Sequence, residues 1–423
     1  MKTFDDLTED FSRVQVPDSA TVSGLKIAIV LVGAIITLPV FLIGAQLGYG
    51  LGLYNAFLVF FVAGLFLSIL AAGAGILAAK TRLTTWIIIQ YSFGKTGAKI
   101  VSSIIGITVL GWYGATVDMF ARASEVIMTD LGISSVSHYM CVIVASTMMV
   151  AIALFGFKGL DKLSKLAVPI MLGLLALLIW SAMRAFDIPL DWSATMGVSE
   201  GISACIGGFI VAVTMFPDIC RYAGKPKDAV IASSLSFGVG IPVILLLAAV
   251  PVLATKEQDF LKVIMLVGIG IPGLLLLLLA TWTTNAYNLY SSSLVFASVT
   301  ERISKWKLVI IVGIVGTLIA LLPILDNFLH FLHFLAILIP PVAGVYLADF
   351  YLLHKQNYDY DLLESLPEFK PLAFVAWIIG GAGGYLTNEN IITLTTVPAL
   401  DSLGIGFVTY LTLNRFSLNV EQE

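Results

Sequence analysis

The chain of 423 residues is 59% hydrophobic and only 12% charged, with a mean hydropathy of +0.99; an ordinary soluble domain carries about twice that charged fraction. Its net charge of −4 offers no basic surface for a nucleic acid. Its long apolar runs do not alternate as strands would, and in hydrocarbon such runs satisfy their own backbone as helices, so the expected class is an all-α integral membrane protein.

Residues 1–24 are acidic and polar, lack the basic stub and short apolar core of a cleavable signal, and read as a cytoplasmic tail. Twelve spans are then expected, at about 25–46, 54–79, 98–121, 139–156, 164–183, 202–219, 229–254, 263–296, 308–323, 328–352, 371–387 and 393–413. The eighth exceeds one crossing and is expected to emerge into the cytoplasm. With the amino terminus inside, 19 of the 23 Lys and Arg residues fall on the cytoplasmic side, which places both termini in the cytoplasm. Cys141, Cys205 and Cys220 lie in or at the edge of spans and suggest neither a disulfide nor a metal pair.

Two spans carry breakers at matching positions. Span one, "VGAIITLPVFLIGAQLGYGLG", holds Gly33, Pro39 and Gly44, and span six, "GISACIGGFIVAVTMFPD", holds Gly201, Gly207, Gly208 and Pro217. Spans five apart cross in opposite senses, as an inverted five-plus-five repeat requires, and such repeats place substrate and ion sites where helices unwind. Each of these residues alone serves packing equally well. The implied organisation is a tail (1–24), a first repeat (25–186), a second repeat (187–353) and a carboxy-terminal pair of helices with its tail (354–423).

Span eight turns from six leucines to "ATWTTNAYNLYSSSL". Polar side chains there must face protein or a watery cavity. Thr284, Asn288 and Ser291, spaced four and three, share one helix face, with Thr283 and Asn285 flanking it. Neutral oxygens of this kind suit Na⁺ and an amide suits a planar heterocycle; hydrogen bonds between helices are the other use of the same residues. In span three, Trp112 stands between Gly111 and Gly114, which leaves its face open to a flat ligand, though a tryptophan in mid-span also packs a core.

"GWYGATVDMF", "ATWTTNAYNLYSS", "AAKTRLTTWIIIQYSFG", "PDICRYAGKPKDA" and "IPPVAGVYLADFYL" together resemble segments of the nucleobase:cation symporter-1 family, most of all its bacterial cytosine permeases, over spans one to ten in order. The resemblance implies a leucine-transporter-type fold in an inner membrane, alternating access, no organic cofactor, and symport of a nucleobase, cytosine before another heterocycle, with Na⁺ or else H⁺. It implies Na⁺ ligands at the carbonyls of Gly33 and Thr37 and at Ala280, Thr283 and Thr284. It further implies a base stacked between Trp112 and Phe209 and bonded by Asn285. Where family members carry Gln, Ser and Ser, this chain has Val109, Val211 and Gly208, and Tyr287 replaces a smaller amide, so the choice of heterocycle is expected to differ.

Asp118 lies about 9 Å along the helix from Trp112 and either carries a proton or pairs with Arg122, its i+4 neighbour. Asp218, three residues before Arg221, reads as a structural or gating group. His330 and His333 lack a third ligand for a metal. A channel would need polar rings along one axis and an intramembrane enzyme a nucleophile with its base; the sequence provides neither, which leaves transport.

Overall fold

The computed structural model describes residues 11, 14–130, 132–133, 137–189, 191–258, 260–300, 302–321, 334–335 and 337–420. In chain order the α-helices are α1 (Gly24–Ile35), α2 (Leu38–Thr81), α3 (Thr85–Phe93), α4 (Lys95–Asp130), α5 (His138–Ala153), α6 (Gly156–Ala185), α7 (Val198–Thr214), α8 (Pro217–Cys220), α9 (Pro226–Ser233), α10 (Ile241–Thr255), α11 (Phe260–Leu266), α12 (Gly270–Val299), α13 (Lys305–Ala320), α14 (Pro340–Ala348), α15 (Pro371–Asn388) and α16 (Pro398–Val420). A π-helical stretch, Ser234–Gly240, joins α9 to α10, and another, Asp349–Leu353, extends α14. Among the described residues four helical stretches, Pro39–Thr81, Lys95–Glu125, Gly156–Ala185 and Pro226–Thr255, are long and apolar enough to cross a membrane by length and composition.

Against the expected spans, these helices show three informative differences. Span one is split, α1 ending at Ile35 and its second half opening α2. A kink toward span two is confined to Gly52 (φ 74°, ψ 168°), inside α2; a Cβ there would meet the Trp192 side chain at 3.0 Å, so both the backbone and the space call for glycine. The long eighth span breaks at Val267–Ile269, where Gly268 has a φ of 78°, and α12 alone, 30 residues, rises about 45 Å.

α2 packs along α10, α4 along α12, α7 against α2 and α15 along α16. At the first of these seams the approach is close, since a Cβ on Gly48 would lie 2.4 Å from that of Ala249, the small-residue contact by which membrane helices gain dispersion energy without a hydrophobic driving force. Large side chains such as Phe41, Phe60, Phe216 and Phe237 are wholly enclosed, whereas Leu65, Ile69, Ile107, Ile314 and Ile378 are more than half exposed. An apolar interior inside an apolar exterior suits lipid on the outside.

The described part of the amino-terminal tail lies against the helix ends. Val16 is buried, its N–H reaches the Arg82 carbonyl at 3.2 Å, and Asp18 pairs with Arg82 at 2.5 Å. The Gly24 N–H that opens α1 donates to Asp228 of α9 at 2.9 Å.

Candidate functional site

Proline fixes both helix breaks. Pro39 has no N–H to give the Ile35 carbonyl, and its ring excludes a continuous helix there. Ile36 and Thr37 are accordingly extended (ψ 93° and 156°). Pro217 does the same to the Val213 carbonyl, which takes the Phe216 N–H at 3.2 Å instead. The Thr214 carbonyl freed at this second break accepts the Tyr346 hydroxyl of α14 at 3.0 Å.

Between the breaks lies a cavity of about 130 Å³. Trp112 and Val109 of α4, Gly208, Phe209 and Val211 of α7, and Tyr287 and Thr284 of α12 all border it. Seven residues inferred from sequence, scattered over three helices, are thus brought to one space. Asn288 and Ser291 border it too, as do Thr37 from the first break and Met215 from the second. Thr37 Oγ1 and Ser291 Oγ are buried there with no hydrogen-bond partner among the described residues. Phe237, from the π-helical stretch before α10, adds an aromatic wall that nothing in the apolar run of span seven singled out.

Asn285 is not on the cavity. It is fully buried, its Oδ1 takes a short hydrogen bond from the Thr116 hydroxyl of α4, and its Nδ2 has no partner among the described residues. Asn288 holds the wall position, with Nδ2 3.5 Å from Asn285 Oδ1. The signal for Asn288 was in the sequence: it shares the four-and-three face with Thr284 and Ser291, and all three border the cavity while Thr283 and Asn285 do not.

At one edge the broken end of α1 meets α12. The Thr284 hydroxyl donates to the Ala34 carbonyl at 2.8 Å and lies 3.0 Å from the Ala280 carbonyl, which the Thr283 hydroxyl also reaches at 2.9 Å. Neutral carbonyl and hydroxyl oxygens therefore gather between the two helices. Gly33 sits one residue before Ala34, pressed against Ser164, where a Cβ would come within 2.8 Å of Oγ. The Thr37 carbonyl is occupied by the Val40 and Phe41 N–H groups at 3.0 and 3.1 Å, the first bonds of α2, so it is the hydroxyl of Thr37 rather than its carbonyl that stands open.

The two acids lie elsewhere. Asp218 is buried, and its Oδ1 accepts the Thr85 N–H at 2.8 Å, where a carboxylate answers the exposed donors of the α3 amino terminus. Arg221, fully buried, donates through Nε to the Asp218 carbonyl at 3.0 Å and through Nη1 to the Phe11 carbonyl of the tail at 2.6 Å. Asp118 pairs with Arg122 at 3.0 Å as its spacing suggested, but its other oxygen lies 2.8 Å from His138 Nε2, and His138 Nδ1 lies 2.7 Å from Glu125. His138 had no motif around it to mark it. His330 and His333 fall outside the described residues, and among the described ones no group of His, Cys, Asp and Glu is placed to hold a metal.

Broken apolar helices around a small cavity with both apolar and polar walls define the class: a multi-pass membrane transporter. Residues 15–406 match the family model described as permease for cytosine/purines, uracil, thiamine, allantoin, and the chain belongs to that family. It is 32% identical over 416 residues to the cytosine permease of Escherichia coli (strain K12), covering 96% of this chain and 94% of that one. It is 25% identical to the purine-uracil permease NCS1 of Arabidopsis thaliana, over 95% of this chain and 74% of that one. Among solved structures it is similar to MHP1, a nucleobase-cation-symport-1 family transporter in a closed conformation with bromovinylhydantoin bound (TM-score 0.84, 17% identity, 98% of this chain and 96% of that one). The fold is also shared with a Na⁺-coupled sialic acid symporter (TM-score 0.66, 13% identity, 97% and 95%). Its relatives are permeases, and the chain is a transporter rather than an enzyme.

Proposed function

We propose that this transporter imports a nucleobase across the inner membrane by symport with a cation, Na⁺ in the first place, by alternating access. One observation carries the reading: a cavity of about 130 Å³ between two proline-broken helices, with Trp112 and Phe209 for a flat ring and a hydroxyl and amide face from α12 for its polar edge. That volume is a fraction of the ~300–1,000 Å³ of pockets that enclose drug-sized ligands. It is on the scale of a free base.

In this reading the twelve spans run from a cytoplasmic tail (1–24) through inverted repeats 25–186 and 187–353 to a last pair of helices in 354–423, with both termini inside. Na⁺ lies between α1 and α12, held by backbone oxygen from Gly33 and Ala280 and by Thr37, Thr283 and Thr284. Replacing the direct Thr284–Ala34 hydrogen bond with an ion ties the broken helix to α12 and steadies one state of the cycle. The base stacks on Trp112 and Phe209, and Tyr287 and Asn288 hydrogen-bond its edge, Asn285 supporting Asn288 from behind. Val109, Val211 and Gly208 complete the wall. Asp218 fixes the entry of α3 rather than touching substrate.

Coupling to H⁺ is the second reading, favoured by His138 lying within 2.8 Å of Asp118 and 2.7 Å of Glu125. Uptake of labelled cytosine into proteoliposomes separates the readings when an inward Na⁺ gradient is compared with choline at fixed pH. Stimulation by Na⁺ that Thr284→Ala reduces about tenfold supports the first. Uptake indifferent to Na⁺ but abolished by His138→Gln moves the coupling to the proton, and no nucleobase uptake under any gradient rejects the function.

A further inference from the structure

The polar side chains of the cavity are confined to two elements. Of the polar side chains that border it, Thr284, Tyr287, Asn288 and Ser291 all come from α12 and Thr37 from the first break. The walls from α4 and α7 are aliphatic or bare: Val109, Gly208, Val211 and Ala212. Val109, Trp112, Val211 and Met215 belong to one continuous apolar cluster, so the valines extend a wall rather than interrupt a polar one. Val109 is 5% exposed, so little of its surface is open to water.

From this division we infer that the site, read as a nucleobase site, selects pyrimidines with an apolar substituent at C5 over their unsubstituted parents, and pyrimidines over purines. A pyrimidine base carries its carbonyl, ring N–H and exocyclic group along one edge and bare C–H at C5 and C6. With the polar edge on Asn288, Tyr287 and Ser291, the C5–C6 edge is left for the aliphatic wall, and a methyl group there replaces water with carbon contact. A purine places ring nitrogens in that direction, and a nitrogen set against valine without a partner loses its hydration uncompensated. One buried methyl corresponds to about fourfold in affinity. The two stacking aromatics do not discriminate among these ligands, since each of them has a π-face.

The test is calorimetric titration of the purified full-length transporter in Na⁺ with uracil, thymine, cytosine, 5-methylcytosine and adenine. Val109→Thr and Val211→Thr, which exchange a methyl for a hydroxyl of the same shape, serve as the variants. The expected result is that thymine and 5-methylcytosine bind about fourfold tighter than uracil and cytosine, that adenine binds more weakly than any of them, and that the methyl advantage shrinks in the variants while the unsubstituted bases still bind. Binding of the parents equal to or tighter than that of the methylated bases overturns the selectivity and leaves the nucleobase reading standing. Absence of binding by every base, from a preparation that unfolds cooperatively, overturns both.

Discussion

Two regions of the molecule bury polar side chains, and they do so in opposite ways. Beneath α14, Asp349 is 1% exposed and each of its oxygens is spoken for: Oδ1 by the Tyr410 hydroxyl of α16 at 2.6 Å, Oδ2 by the Tyr358 hydroxyl at 2.7 Å and by His354 Nδ1 at 3.1 Å. Tyr358 in turn stacks on Tyr91 of α3, with ring centroids 4.0 Å apart, and Tyr91 donates to the Asp359 carbonyl at 2.8 Å. At the central cavity Thr37 Oγ1 and Ser291 Oγ have no hydrogen-bond partner among the described residues, and behind its wall neither does Asn285 Nδ2. An unmade buried hydrogen bond costs about 1–3 kcal/mol, so a fold keeps several of them together only where something else completes them. The closed knot fastens the loop at 354–370 to α3 and α16, and the open one leaves donors and acceptors for a ligand.

The largest effect expected from this contrast is at Asp349. Asp349→Ala leaves two buried tyrosine hydroxyls and an imidazole without their acceptor, a loss of about 3–5 kcal/mol, read as a marked fall in the thermal unfolding midpoint of the detergent-solubilised protein. Ligand affinity in the molecules that remain folded should be unchanged. A midpoint within error of wild type would show that the knot is not closed. At the cavity the pattern should reverse. Trp112→Ala removes a stacking face worth about 1–3 kcal/mol and should weaken base binding at least about tenfold with little change in the midpoint, by calorimetric titration and thermal melting of the same preparations. Loss of stability without loss of affinity would place Trp112 among the core residues.

The sequence made most of the helices legible because continuous apolar runs permit little else, and it marked both breaks because proline cannot continue a helix. It did not show the kink at Gly52 or the separation of α11 from α12, where runs of uniform hydropathy hide single residues with positive φ. At the site, helical spacing alone put Thr284, Asn288 and Ser291 on one face, and all three border the cavity; positional resemblance had pointed to Asn285, one helix face away. The aromatic from Phe237 and the partner His138 were invisible because each meets its site only through the packing of distant segments. The two asparagines also discriminate between the regions. Asn288→Ala should weaken base binding about tenfold at constant stability, whereas Asn285→Ala, which removes the hydrogen bond from Thr116 between α4 and α12 and leaves that hydroxyl only the carbonyls of its own helix, should lower the midpoint more than the affinity. The same calorimetric and melting measurements on the pair decide it.

The smallest effect belongs to the rim of the closed knot, where pH reaches it. His354, 37% exposed at its side chain, has its pKa raised above the usual histidine value of 6.5 by its hydrogen bond to the Asp349 carboxylate, against the opposing effect of its own burial. A basic group whose affinity for its proton rises on folding contributes stability that is fully present below the unfolded value and disappears as pH climbs through the folded one. The knot should therefore be tightest in mildly acidic solution and lose the His354 contribution on the alkaline side of pH 6.5, while both tyrosine bonds to Asp349 persist. Partial exposure screens the pair, so the change is a modest one. His354→Gln should flatten this part of the pH dependence of the unfolding midpoint on the alkaline side of pH 6.5 without approaching the loss seen in Asp349→Ala. A variant that kept the full wild-type slope would assign the pH response to another group, and one that fell as far as Asp349→Ala would show that the imidazole, rather than the two tyrosines, holds the knot closed.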